Sequence, residues 1–114
     1  MVEELTLLED SYVIFDLETT GLYPNSGDTI TEIGAVKIKD GKIIERYDEL
    51  INPGKELSEE IIKITGISNE MLKGKRNEES VLKDFMKWVG ELPMVAHNAK
   101  FDISFVENAF YTLS

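Results

Sequence analysis

Cysteine is absent from the 114 residues. That excludes disulfides and thiolate-held metals, and it fits a reducing cytoplasm. No window approaches the roughly 18 consecutive apolar residues that a membrane span needs. The opening stretch, MVEELTLLED, is acidic and lacks the basic start and apolar run of a signal peptide. Basic residues are also scarce: 12 Lys and Arg stand against 22 Asp and Glu, a formal net charge of −10. A basic surface is the usual mark of phosphate contact, so this balance argues at first sight against a broad nucleic-acid interface. Histidine occurs once, as His97. Neither internal repeats nor low-complexity tracts occur, and the length suits one domain with a modest core and is too short for two.

What the chain does have is a concentration of carboxylates at telling positions. Residues 12–22 read YVIFDLETTGL, with Asp16 and Glu18 two apart at the end of an apolar run and directly before a Thr-Thr-Gly turn. Side chains two apart on a strand point to the same side. Two carboxylates converging at a strand end repel each other unless a cation lies between them, and a hard divalent ion with oxygen ligands, Mg²⁺ or Mn²⁺, is the natural partner. A bare D-x-E is also compatible with an ordinary acidic strand end. The second segment, AHNAKFD at residues 96–102, adds a third carboxylate, Asp102.

Together these segments resemble the DEDD family of 3′→5′ exonucleases, in its histidine-bearing DEDDh form. DLETTG matches the first exonuclease motif of that family and HNAKFD the second, with ITGIS at residues 64–68 between them in the expected order. The resemblance runs from about Tyr12 to the last residue. The ordering LINPG…ITGIS…AHNAKFDISF is most similar to the exonuclease domain built into PolC-type DNA polymerase III, although nuclease domains of some helicases and repair proteins share the same segments. The family pattern also carries a third motif, a histidine closely followed by an aspartate. This sequence ends at Ser114, and its one histidine belongs to the second motif. The general base and fourth carboxylate therefore have no counterpart here, and the expectation is a chain that is inactive alone.

Hydrophobic patterning places the motifs. Residues 12–17 read as a buried central strand, residues 23–28 as a loop, and residues 29–39 as an alternating strand disturbed by Gly34. Asp40-Gly41 is a hairpin signal, and residues 42–51 return as a third strand. Ser58 is placed to cap a helix through Thr65, Ser68 a short one through Leu72, and Asn77 a longer one stopped by Gly90. On that longer helix Val81, Leu82, Phe85, Met86, Trp88 and Val89 share a face. Residues 93–96 suit a strand beside the first, and residues 101–113 a helix holding Asp102 in its first turn. Met71, Met86 and Met94 read as core fillers.

The expected fold class is α/β, a ribonuclease H-like mixed sheet: an antiparallel three-strand meander, helices, then a parallel fourth strand. The family resemblance implies the same fold, truncated before its last strand and helix. Residues 1–11 are expected to be a linker or extension, and residues 12–114 the N-terminal part of a 3′→5′ exonuclease domain. An uncovered edge and apolar face then favour self-association of the fragment.

The resemblance implies a chemistry as well. It implies two divalent cations, Mg²⁺ or Mn²⁺, with Asp16 touching both, Glu18 holding the one that carries the attacking water, and Asp102 supporting the other. Thr19, Thr20 and Gly21 form a turn that meets the 3′ end in the family, and Leu22 and Phe101 match positions that pack on the terminal base or sugar. Phe101 is equally suited to the core. His97 suits a structural or substrate-orienting role, and Asn98 either caps the following helix or meets a phosphate. Lys73, Lys75 and Arg76 form a basic cluster that is either a solvated loop or a DNA contact.

The implied partners are a single-stranded or frayed DNA 3′ end and the rest of a DNA polymerase chain or replisome, with proofreading during DNA replication as the role. Metal ions meeting the scissile phosphate reduce the need for basic surface, so the acidic balance implies weak DNA binding by the domain alone. An RNA-trimming or DNA-repair exonuclease of the same superfamily, and a non-catalytic binding module that keeps the fold, are the competing readings.

Overall fold

A computed structural model of the chain describes residues 10–96 together with 102, 104 and 105. Four strands form one sheet in the order β3-β2-β1-β4. They are β1 (Ser11–Thr19), β2 (Ile30–Lys39), β3 (Lys42–Leu50) and β4 (Met94–Ala96). β1 to β3 pair antiparallel, and β4 lies parallel beside β1, with Phe15 opposite Ala96. Three helices fall between β3 and β4: α1 (Glu59–Thr65), α2 (Asn69–Leu72) and α3 (Glu78–Val89). None of the described helices is long and apolar enough to cross a membrane.

The turn between β2 and β3 is set by two residues with positive φ, Asp40 at 50° and Gly41 at 77°. That is the geometry a two-residue hairpin requires to match strand twist. The helices begin where side chains satisfy their first free N–H groups. Ser58 accepts from the Ile61 N–H, Ser68 from Met71, and Asn77 from Ser80. Glu78, in the first turn of α3, reaches across to accept from the Ile30 N–H at 3.0 Å, tying the start of this helix to the start of β2. Burial raises the Glu78 pKa, and that hydrogen bond opposes the rise.

β1 separates its side chains cleanly. Val13, Phe15, Leu17 and Thr19 are buried, while Tyr12, Ile14, Asp16 and Glu18 alternate with them on the opposite face. The buried face packs on Val81, Leu82, Phe85 and Val89 of α3, and Phe105 joins the same cluster. Phe85 is its centre, with ring centroids 6.2 Å from Phe15, 5.2 Å from Tyr47 and 6.0 Å from Trp88. Trp88 stays at the rim, where Lys37 lies 4.6 Å over its ring and its indole N–H donates to Glu45. A smaller cluster of Leu57, Ile67 and Leu72 holds α1 and α2 in place.

Two expectations change. Met71 is not a core filler: it is 43% exposed, and its sulfur accepts the Ser68 N–H in the capping box of α2. Arg76 of the basic cluster is not simply solvated, because it pairs with Glu49 and Asp84 and fastens β3 to α3.

Candidate active site

The first-motif carboxylates stand where the alternation of β1 puts them. Asp16 is exposed and Glu18 partly so, both on the face turned away from α3. Because β4 runs parallel to β1 and its last residue, Ala96, sits opposite Phe15, the chain leaves β4 at the level of Asp16. Asp102 is helical and fully buried, close enough for its charge to act on Glu18. Burial, then the charge of Asp16, then that of Asp102 raise the pKa of Glu18. Asp16, Glu18 and Asp102 therefore share one end of the sheet, a gathering of like charge that a divalent cation would relieve. Among the described residues no three acidic or imidazole side chains stand close enough to clasp one ion as they are oriented, so the group is a convergence and not a closed cage.

The acidic face extends further than the motifs indicate. In register, Glu18 lies opposite Glu32 of β2, and Gly34 lies between Asp16 on one side and Asp48 of β3 on the other. The Glu32 carboxyl is pushed up to about 7, first by its hydrogen bond to Asp48, then by burial, then by the charges of Asp48, Glu18 and Asp16. The folded chain thus holds a proton at Glu32 that the unfolded chain has lost above the ordinary value of 4.5. Stability falls as pH rises from that value through the folded one. Water around this half-exposed pair screens much of the interaction, so Glu32→Gln is expected to stabilise the fold at pH 8 by about 1 kcal/mol. The same change should flatten the slope between pH 5 and 8. Urea melts of both chains in chelator, at both pH values, provide the check; an unaltered slope would show that Glu32 holds no extra proton.

Beside Glu18 a cavity of about 420 Å³ opens between the loop after β1 and helix α1. Its volume lies within the ~300–1,000 Å³ of small-molecule sites. One wall is residues 17–23 with Asp28, the other Ser58, Glu60, Ile61, Ile64 and Thr65. Leu22, Tyr23 and Ile64 are 65%, 66% and 71% exposed, an apolar rim turned to solvent. Thr19 donates from its hydroxyl to the Gly21 carbonyl at 2.6 Å, and Thr20 from its own to Asp28 at 3.0 Å. Thr19, Thr20, Gly21 and Leu22 thus line the cavity next to Glu18. His97, Asn98 and Phe101 lie outside the described residues.

Tyr23, Glu32, Asp48, Ile61 and Ile64 were not singled out from sequence. Ile64 opens the ITGIS segment, and that segment was the available signal for the helical wall.

Residues 13–114 match the sequence profile of the RNase T family, described as exonuclease. The chain belongs to this exonuclease family. It is 47% identical over 107 residues to the PolC-type DNA polymerase III of Staphylococcus haemolyticus (strain JCSC1435), covering 94% of this chain and 7% of that one. Its identity to the PolC-type DNA polymerase III of Bacillus subtilis (strain 168) is 45% over 107 residues, with the same two coverages of 94% and 7%. The chain thus spans about 7% of the length of the curated relatives it matches.

Among solved structures it superposes on product-bound exonuclease I with a TM-score of 0.78 at 22% identity, over 90% of this chain and 25% of that one. On E. coli exonuclease I in complex with a dT13 oligonucleotide the TM-score is 0.77 at 22% identity, over 90% and 24%. At that identity the likeness shows the fold, which is the ribonuclease H-like mixed sheet.

Proposed function

We propose that this exonuclease-family chain carries the first two acidic motifs of a metal-dependent 3′→5′ exonuclease domain. In this reading the domain removes nucleoside monophosphates from the 3′ end of DNA as the proofreading part of a replicative polymerase. The observation that carries the reading is the convergence of Asp16, Glu18 and Asp102 at one sheet end, beside a cavity with an apolar rim. The oligonucleotide complex of exonuclease I supports single-stranded DNA as the substrate class, and the PolC-type relatives support a polymerase as host.

Asp16, Glu18 and Asp102 would hold two Mg²⁺ or Mn²⁺ ions, which supply an activated water and neutralise the phosphate and the leaving 3′ oxygen. The chain's own part is placement. Asp16 and Glu18 project together because they are two apart on β1, and Asp102 approaches from the segment after β4. Leu22 and Ile64 offer apolar surface to the terminal base or sugar, while the Thr19–Thr20–Gly21 turn brings backbone close to the strand end. A histidine from a third motif would act as general base, a contribution of about 10²–10⁴-fold.

The test is a 5′-labelled single strand incubated with Mg²⁺. The 114-residue chain is expected to shorten it little, and a chain extended through a third motif to produce a ladder from the 3′ end. Robust cleavage by the shorter chain would mean that a group within it serves as base.

A further inference from the structure

The loop between β1 and β2 presents two large side chains to water, Leu22 and Tyr23. Backbone hydrogen bonds from Ser26 and Asp28 to the Tyr23 carbonyl and from Gly27 to the Pro24 carbonyl shape the loop's far end, and one carboxylate ties its near end together. Asp28 accepts the Thr20 hydroxyl at 3.0 Å through Oδ1 and the Tyr23 backbone N–H at 3.0 Å through Oδ2. The same Thr20 oxygen accepts the Thr29 N–H at 3.1 Å, and the Thr20 N–H donates to the Thr29 carbonyl, so the base of the loop is closed. Lys55, arriving from the segment after β3, donates to the Gly27 carbonyl at 2.9 Å and stands 4.0 Å from Asp28 Oδ1.

Gly21 reveals how tightly the carboxylate is seated. A side chain at this position would collide with the Asp28 carboxylate. Gly21 is not among the positive-φ glycines, so backbone conformation does not bar a side chain at this position. The obstacle is Asp28, whose carboxylate sits directly against the Gly21 backbone.

We propose that Asp28 is a positioning residue, locking residues 20–23 so that Leu22 and Tyr23 are held ready at the cavity beside Glu18 for a terminal nucleotide. This rests on the nucleotide reading of that cavity given above. A loop already held in its binding shape avoids the ordering cost that a free loop would meet on binding. Asp28 touches no substrate in this account; it acts through Thr20, Gly21 and Tyr23.

The test is a double-substitution cycle, with 5′-dTMP as probe in the presence of Mg²⁺. Binding is followed by the methyl NMR signals of Ile61 and Ile64, well below each variant's melting temperature. Asp28→Ala is expected to weaken binding about tenfold, and Gly21→Ala about as much, since its methyl must expel the carboxylate. In the Asp28→Ala background Gly21→Ala should add less than about twofold, because the carboxylate its methyl would strike is gone. Asp28→Asn, which retains one acceptor, should recover most of the binding; a general loss of stability predicts neither the masking nor the recovery. If Asp28→Ala binds as tightly as the unsubstituted chain, or if Gly21→Ala weakens binding equally in both backgrounds, the role of Asp28 is refuted while the nucleotide site stands. If the unsubstituted chain leaves the Ile61 and Ile64 signals unmoved, the nucleotide reading falls and this inference falls with it.

Discussion

Replacing Phe85 with alanine is expected to cost the fold about 3–5 kcal/mol, the range for emptying a buried aromatic position. Phe85 is fully buried and makes ring contacts with Phe15 of β1, Tyr47 of β3 and Trp88 of its own helix. No neighbour can refill the space without surrendering its own place, because Phe15 and Tyr47 are fixed by strand pairing to Ala35 of β2. A loss of this size is a large part of the roughly 5–15 kcal/mol that a domain has to spare. Urea denaturation of Phe85→Ala and Phe85→Leu should show the loss in the first and a much smaller one in the second, where volume is mostly kept. A midpoint for Phe85→Ala within error of the parent would mean that α3 does not cover the sheet in the way described.

The second large effect concerns chemistry. In a chain extended through a third motif and cutting a labelled strand, Glu18→Ala is expected to lower the rate on the order of 10³-fold. An ion that activates water contributes several kcal/mol, and each 1.36 kcal/mol is tenfold in rate. The substitution should leave the melting point unchanged or raise it, since Glu18 is under repulsion from Asp16 and Asp102 in the folded chain. A site held for function at a cost in stability predicts that pair of outcomes. Loss of rate together with a large loss of stability would instead assign Glu18 to the fold.

Much of this arrangement is legible in the order of residues. The period of two in residues 12–18 puts Asp16 and Glu18 on one side, and the caps Ser58, Ser68 and Asn77 stand where the helices begin. The extended acidic face is not legible, and the reason is two irregularities of register. Counting outward from the Asp40-Gly41 turn would place Asp48 opposite Ile33, on the core side of the sheet. An extra residue, Ile44, sits between the Lys37–Glu45 and Ile38–Ile43 pairs, and it moves Asp48 opposite Gly34 instead. A second irregularity after Glu18 pairs Thr19 with Ile30 and leaves Thr31 as the extra residue. Bulges of this kind have no reliable signature in one sequence. The cavity was hidden for another reason: Ile61 and Ile64 meet Leu22 only through tertiary contact, some forty residues apart in the chain. Met71 is illegible for a simpler reason: a methionine in a short helix reads as packing, whereas here its sulfur accepts the Ser68 N–H.

In the proposed function Asp16, Glu18 and Asp102 bind divalent cations together. Titration of Mn²⁺ into the 114-residue chain, read by the relaxation of water protons, addresses that claim without depending on catalysis or on a third motif. The parent chain is expected to bind weakly and saturably, and Asp16→Asn, which removes the carboxylate assigned to both ions, to abolish binding. Mn²⁺ bound equally well by Asp16→Asn would mean that the three carboxylates do not form the cation site.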